Sequence, residues 1–414
     1  MLIIAFVAAG QLVMGLCLPA LPAMALSFHV SNRAMQQSFT LFIVIFGISQ
    51  LFYGVLSDHY GRRPLLLWGM LISLLGTILA INSASLSAFL LARFLQGLGA
   101  GSVSVLGRSI ISDAYPREKM AAAMSLLMLA AAITPALSPF LGGQIEHFFG
   151  WQSIFIILSI YLVSLIALIY WKMPESNLDK GTSRKKTINT LMLIKNYWTL
   201  LQDKTYISYV IIVVLGFSCQ LLSLSLAPFI FQNGFLTSVS AYGSLMMIPA
   251  AAYIVGNFIS TFLNKKNFPY VKIILSGVIT CLLFGIILVS ISIVNLESCI
   301  NVLCCIAGIN LGYGLIASNA ATGAIMPFKE FAGTASSLLG FIQMIGSSLV
   351  LTLASFFAKS SSLVLGGSFV ILSLMMLYVS LVILINLRHT KARTRELGSN
   401  GSIYGGLRNN AVED

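Results

Sequence analysis

Long apolar segments, separated by short polar ones, recur along the whole chain. Each can supply the roughly 20 residues that a helix needs to cross the hydrocarbon core of a membrane. Helices are expected because backbone groups in lipid must be hydrogen-bonded within their own segment, and too few segments alternate for a membrane barrel. The pattern therefore predicts an all-α integral membrane protein with twelve transmembrane helices, at residues 2–26, 35–56, 65–82, 88–111, 121–144, 153–171, 206–231, 240–263, 271–293, 299–320, 332–357 and 364–386.

The longest polar interruption follows the sixth span and divides the chain into two halves, which we expect to form pseudo-symmetric six-helix bundles. The predicted domains are an N-terminal bundle, a cytoplasmic linker, a C-terminal bundle and a disordered cytoplasmic tail, at residues 1–172, 173–204, 205–387 and 388–414. Apolar side chains recur in the linker at helical spacing, at Leu191, Ile194, Trp198 and Leu201. A short helix on the inner membrane surface and a disordered linker both fit this spacing.

The number and position of charged residues support a membrane protein. They make up only 9% of the 414 residues, whereas soluble domains carry roughly 25%. The net charge of +12 does not indicate nucleic-acid binding, because the basic residues lie in short loops between spans. With the N-terminus inside, only Arg33 and Lys359 of the loop cations fall outside. This asymmetry predicts cytoplasmic termini in a bacterial-type inner membrane.

The sequence shows no nucleophile–base pair, no phosphate-binding loop and no metal-ligand spacing, so we expect neither an enzyme nor a bound cofactor or metal. The six cysteines lie mostly within apolar segments and are interpreted as small apolar side chains. Met1 is followed at once by an apolar segment without a basic leader. We therefore expect the first helix to remain in the membrane.

The most specific motif is the loop between the second and third spans, which reads Gly54-Val-Leu-Ser-Asp58-His-Tyr-Gly61-Arg62-Arg63-Pro64. Its glycines allow a tight turn and close helix approach. Its aspartate caps a helix end, while its arginines suit the cytoplasmic headgroups.

Two further motifs lie in the fourth and fifth spans, Leu91-Ala-Arg93-Phe-Leu-Gln96-Gly97-Leu-Gly99-Ala-Gly101 and Pro135-Ala-Leu-Ser-Pro139-Phe-Leu-Gly142-Gly143. Together with the loop, they resemble the signatures of the major facilitator superfamily. Leu18-Pro19-Ala-Leu-Pro22, Ser318-Asn319-Ala320 and the segment from Ala332 to Leu338 narrow the resemblance to the bicyclomycin/chloramphenicol-resistance branch of drug:proton antiporters. The resemblance runs from about Leu18 to Leu384 and implies multidrug efflux by a monomer whose partners are the lipid bilayer, a small-molecule substrate and protons.

The resemblance also implies roles for individual residues. Arg93 corresponds to the buried arginine that couples protonation to substrate binding in antiporters, although an arginine extending to the outer headgroups is an alternative. Gln96 and Gln36 are candidates for polar side chains that contact Arg93. Asn319 and Gln343 suit helix–helix hydrogen bonds or a cavity wall.

Two further sets of residues are assigned to conformational change. The resemblance implies a conformational latch of Gly54, Asp58, Gly61, Arg62, Arg63, Arg108 and Asp113. Plain interfacial charges that set the topology are the alternative for the charged cluster around Arg108 and Asp113. Either packing or a helix pivot would account for Pro135, Pro139, Gly142 and Gly143.

The first span lacks the aspartate that the family usually places three positions before its Leu-Pro, because this chain has Gly15 there. No acid lies at mid-depth in any span, although a buried proton carrier normally needs a carboxylate or a histidine.

The sequence leaves three hypotheses for the function. The first is an exporter of small amphipathic compounds that works by alternating access. The second is a facilitator, or an exporter of a metabolite or siderophore, without classical proton antiport. The third is a membrane sensor that does not transport.

Overall fold

The computed structural model describes residues 2–114, 133–135, 137–173, 190–356 and 361–405, and these residues form helices, turns and short connections without any strand. The α-helices of the first half are α1 (Leu2–Gly15), α2 (Leu21–Ser27), α3 (Asn32–Tyr60), α4 (Arg62–Ile81), α5 (Leu86–Ala114), α6 (137–149) and α7 (Trp151–Lys172). The later helices are α8 (Thr190–Gln202), α9 (Lys204–Phe229), α10 (Val239–Leu245), α11 (Met247–Lys265), α12 (Tyr270–Ile293), α13 (Cys299–Ile325), α14 (Ala332–Phe356) and α15 (Ser362–Gly405).

The described residues contain 11 helical segments long and apolar enough to cross a membrane. They coincide with the predicted spans except for the fifth, at 121–144, part of which lies outside the described residues. The prediction of an all-helical membrane protein is confirmed.

The first span is interrupted, although the apolar pattern predicted one continuous helix over 2–26. A turn at Leu16 and Cys17 ends α1, a 3₁₀ turn covers Leu18–Ala20, and α2 then begins. Pro19 and Pro22 stand at the start of these two segments, where their missing N–H groups leave no helical hydrogen bond unmade. The break therefore lies where the prolines can be accommodated.

The two halves repeat the same set of helix contacts. In the first half, α5 packs against α1, α3 and α4, while α7 packs against α4 and α1. In the second half, α13 packs against α9, α11 and α12, while α15 packs against α12 and α9. Each of these five contacts of the first half thus recurs six spans later, which makes the described parts of the bundles pseudo-symmetric.

The halves meet along α3 and α14 and at the end of the bundle that carries Gln144, here called the Gln144 end. There the Ser240 hydroxyl donates to Gln144 Oε1 over 3.0 Å, joining α6 to α10. Gln232 Nε2 donates to the Pro19 carbonyl over 2.7 Å. These hydrogen bonds and the helix contacts around them form a seal between the halves.

A helix, α8, forms in the predicted linker and packs against α9 and α14. The last helix continues to Gly405, beyond the predicted end of the twelfth span. The domain boundaries and the disorder of the tail stay predictions.

Candidate functional site

A cavity of about 270 Å³ lies between the two halves. Residues of α1, α3 and α6 line it from the first half, and residues of α9, α11, α13 and α14 from the second. Its polar side chains are Gln11, Ser138, Gln220, Ser223, Tyr253, Asn310, Tyr313 and Gln343. Clefts with mostly apolar walls and a few convergent polar groups are typical ligand sites.

Three glutamine amides of this wall are free to bind a ligand. Gln11, Gln220 and Gln343 make no side-chain hydrogen bond within the described part of the chain, and each is only partly buried. Asn310, by contrast, donates to the Ile306 carbonyl of its own helix over 2.9 Å. An amide offers both donors and an acceptor, so the three glutamines can pair with neutral polar groups of either kind.

Aromatic rings form one side of the cavity. The Tyr253 and Tyr313 rings stack with centroids 5.5 Å apart and planes 23° from parallel, and the Phe217 ring lies 6.4 Å from that of Tyr313. Met14, Met246 and Met344 add flexible thioethers to the wall. Such side chains can adapt to planar apolar groups of different shapes.

Arg93 is buried behind the cavity wall, with only 1% of its surface exposed. Its Nη1 donates to Gln96 Oε1 over 2.7 Å and to the Val13 carbonyl over 3.2 Å, and its guanidinium carbon lies 4.3 Å from the Phe42 ring centroid. Nε and Nη2 have no partner among the described residues. A buried guanidinium without a carboxylate is costly, so the fold retains this charge at the expense of stability.

Gln96 extends the polar network of Arg93 away from the cavity. Its Nε2 donates to Thr77 Oγ1 over 3.0 Å, and Thr77 in turn donates to the Ser73 carbonyl over 2.8 Å. Gln36 is buried elsewhere on α3, and its Nε2 has no partner in the described ranges. Neither Gln96 nor Gln36 lines the cavity.

The two candidate amides of the second half have different surroundings. Asn319 joins α13 to α11, donating to Ser260 Oγ over 2.7 Å and accepting from Asn264 Nδ2 over 2.8 Å. Gln343 lines the cavity. Helix–helix hydrogen bonding and cavity lining were the alternatives for both residues; Asn319 joins two helices, whereas Gln343 lines the cavity.

Three of the predicted latch residues, Gly61, Arg62 and Arg63, lie at the turn between α3 and α4. Gly61 has a φ of +92°, a conformation that favours glycine, and it caps α3. Arg62 donates to the Ser57 hydroxyl, and Arg63 donates to the Tyr170 carbonyl in the last turn of α7. Both contacts lie within the first half. The side chains of the other assigned residues, Asp58, Arg108 and Asp113, and the surroundings of Gly54 lie outside the description.

The predicted pivot residues lie beside the cavity and the seal. Pro135 and Pro139 line the cavity. A Cβ added at Gly142 would stand 2.0 Å from the Leu16 carbonyl oxygen, and one added at Gly143 would stand 2.8 Å from that of Val239. Glycine is therefore required for α6 to approach both α1 and α10 this closely.

Sequence reasoning missed Gln11, Gln220 and Asn310, which all line the cavity. A signal was present, since each is an amide within an apolar span, where a polar side chain is expensive and often functional.

We predict that Gly15→Asp lowers stability, because a Cβ at Gly15 would lie 2.2 Å from Ser138 Oγ and 2.9 Å from Ser138 Cβ. Overpacking of this kind costs about 1–3 kcal/mol, and thermal unfolding of the purified protein measures the loss. Gly10→Ala is the matched control, since its Cβ would meet its nearest neighbour at an ordinary 3.6 Å. An aspartate variant that is equally stable and gains a dependence on a pH gradient would contradict this account.

A second prediction concerns Glu146, which follows the predicted end of the fifth span. Partial burial raises its pKa from 4.5 to about 7, and Oε2 has no partner among the described residues. Because the folded state holds this proton more tightly, its stability should fall as pH rises from about 4.5 to about 7. Glu146→Gln should flatten that part of the curve of melting temperature against pH, and an unchanged slope would refute the assignment.

Comparison with known proteins connects this architecture to a family. The model of the Major Facilitator Superfamily matches residues 1–351. Multidrug resistance protein D of Escherichia coli (strain K12) is 28% identical over 373 residues, which cover 88% of this chain and 90% of that protein. Multidrug resistance protein MdtL of Escherichia coli (strain UTI89 / UPEC) is 28% identical over 339 residues, which cover 82% of this chain and 83% of that protein.

Solved structures show the same fold at low sequence identity. The D-xylose-proton symporter superposes with a TM-score of 0.70 at 14% identity, covering 91% of this chain and 96% of that one. A second structure is a bacterial homologue of the human lysosomal transporter Spinster in an inward-facing and occupied conformation. It superposes with a TM-score of 0.71 at 14% identity, covering 94% of this chain and 96% of that one. With two pseudo-symmetric helical halves around a central cavity, this chain belongs to the Major Facilitator Superfamily of membrane transporters.

Proposed function

We propose that this protein exports small amphipathic organic molecules across the cytoplasmic membrane by alternating access of its two halves. The observation that carries the proposal is the cavity between the halves, whose free amides come from both bundles and whose aromatic wall suits apolar groups. Similarity to two multidrug resistance proteins supports the same substrate class. All the described residues that line the cavity belong to one chain, which suits a monomer.

The orientation in the membrane is part of the proposal. The end that carries Arg62 and Arg63 faces the cytoplasm, because basic loops remain inside. Both termini then lie inside, and the Gln144 end faces outward. With the seal formed at that end, the cavity is closed to the outside.

A specific observation favours a second candidate, a facilitator or metabolite exporter that does not use classical proton antiport. Gly15 replaces the expected acid and lies against Ser138. Among the described residues that line the cavity none is acidic, and Arg93 has no carboxylate partner there. A chain that exchanges protons needs a group that can hold one.

Transport assays separate these candidates. The full chain would be expressed in an efflux-deficient bacterium, a compound panel screened for reduced accumulation, and each hit assayed in inside-out vesicles with and without a pH gradient. Uptake into vesicles that collapses with the gradient supports the antiporter, and uptake that ignores it supports the second candidate. If no compound moves at normal protein level, the sensor hypothesis replaces both.

A further inference from the structure

The cavity wall contains polar side chains but no charged ones among the described residues. Within the described chain, its lining includes no Asp, Glu, Lys, Arg or His, but it does include four amides, three of them unbonded. An ion that moves from water into such a site loses a large hydration free energy, and hydrogen bonds to neutral amides replace only a small part of it. A neutral polar group loses much less and regains hydrogen bonds.

The three free glutamines extend from different helices of both halves. Gln11 lies on α1, Gln220 on α9 and Gln343 on α14. A molecule with several amide or hydroxyl groups can therefore bond to both halves at once. The stacked Tyr253 and Tyr313 rings, with Phe217 beside them, offer a face for one aromatic ring.

Among the described residues, the fully buried charged side chain is Arg93, which is positive and does not line the cavity. Arg93 donates to the Val13 carbonyl, and the next residue, Met14, lines the cavity. Its guanidinium is buried and has no carboxylate partner in the described part of the chain, so its field is not cancelled locally. Charges interact strongly where water is excluded, and the cavity is therefore unfavourable to cations in particular.

We infer that the cavity selects uncharged aromatic molecules that carry amide or hydroxyl groups, and that it rejects cations. The inference rests on the proposed function, since it names the substrate class of the same cavity. The volume of about 270 Å³ suits a molecule with a single aromatic ring and a short polar chain.

A set of three tyrosine derivatives tests this selectivity with one aromatic ring throughout. N-acetyltyrosinamide is uncharged, N,N,N-trimethyltyrosinamide is a permanent cation, and N-acetyltyrosine is an anion at neutral pH. Binding to the purified full chain in lipid nanodiscs would be measured by calorimetry. We expect the uncharged compound to bind at least about tenfold more tightly than the cation, a difference of about 1.4 kcal/mol. Equal or tighter binding of the cation, or no binding of any of the three, would overturn the inference.

A substitution that adds a carboxylate should reverse the preference. Gln220→Glu keeps the shape of the side chain but introduces a negative charge, and we expect it to gain at least about tenfold in affinity for the cation relative to the uncharged compound. Gln343→Glu provides the same test from the other wall if the first variant unfolds. Gln152→Glu, an exposed position outside the cavity, is the matched control and should leave the preference unchanged. A folded cavity variant that keeps the original preference would refute the role of the amides.

The binding assay is independent of transport, so the two proposals fail separately. A protein that binds the uncharged probe and exports nothing would refute the proposed function and retain the inference. A protein that exports compounds but binds the cation more tightly would refute the inference and retain the proposed function.

Discussion

Linking positions 144 and 240 through a short reducible bridge is expected to abolish transport, and reduction is expected to restore it. The two side chains are hydrogen-bonded over 3.0 Å and belong to opposite halves, on α6 and α10. Alternating access requires the halves to separate at this end, so a covalent bridge holds the seal closed. The variant Gln144→Cys with Ser240→Cys would be treated with a bis-methanethiosulfonate reagent that has one methylene spacer, and transport measured before and after reduction.

Each single cysteine variant, treated in the same way, controls for modification without bridging and for the six native cysteines. Transport that persists after complete cross-linking would show that the Gln144 end does not open during the cycle. It would remove alternating access between these halves as the mechanism.

Replacing Arg93 with methionine is expected to reduce transport by about tenfold or more while leaving the melting temperature equal or higher. Methionine removes a buried charge whose Nε and Nη2 have no described partner, and apolar replacement of such charges is often neutral or stabilising. Transport should fall because an ionised side chain retained inside a membrane bundle is a functional group by default, and a coupling of about 1.4 kcal/mol corresponds to a factor of about ten.

The measurement combines vesicle transport with thermal unfolding of the same preparation. Arg33→Met is the matched control, since Arg33 also lies over a ring, at 4.4 Å from the Phe356 centroid, but is more exposed. Undiminished transport by the Arg93 variant would refute its functional role. Lost transport together with a lower melting temperature would assign the residue to folding instead.

The sequence predicted the helices well because burial in lipid requires long apolar segments, a property that each span displays by itself. It did not predict the break after Gly15, since Pro19 and Pro22 are equally compatible with a bent continuous helix. It predicted two pseudo-symmetric halves but not which helices pack together, because helices of different sequence can pack alike when small residues fall at their crossings.

The site was harder to predict than the fold. An amide within a span can join two helices, as Asn319 does, or face a cavity, as Gln343 does, and the difference depends on how each helix is rotated against its neighbours. The motif residues Arg93 and Gln96 were recognised, but their position behind the wall follows from contacts with Val13 and Thr77 on other helices. Such contacts between distant segments are not visible in local patterns.

The seal at the Gln144 end also bears on how fast the protein can cycle. It combines glycine crossings at Gly143 and Gly243 with neutral hydrogen bonds such as the one between Gln144 and Ser240, and such bonds contribute only about 0.5–1.5 kcal/mol each. Among the described residues this closure contains no ion pair, so its opening breaks neutral hydrogen bonds and helix packing but separates no paired charges. A bound molecule needs only a small difference in affinity between the closed and open states to shift the balance between them when few interactions hold the closed state.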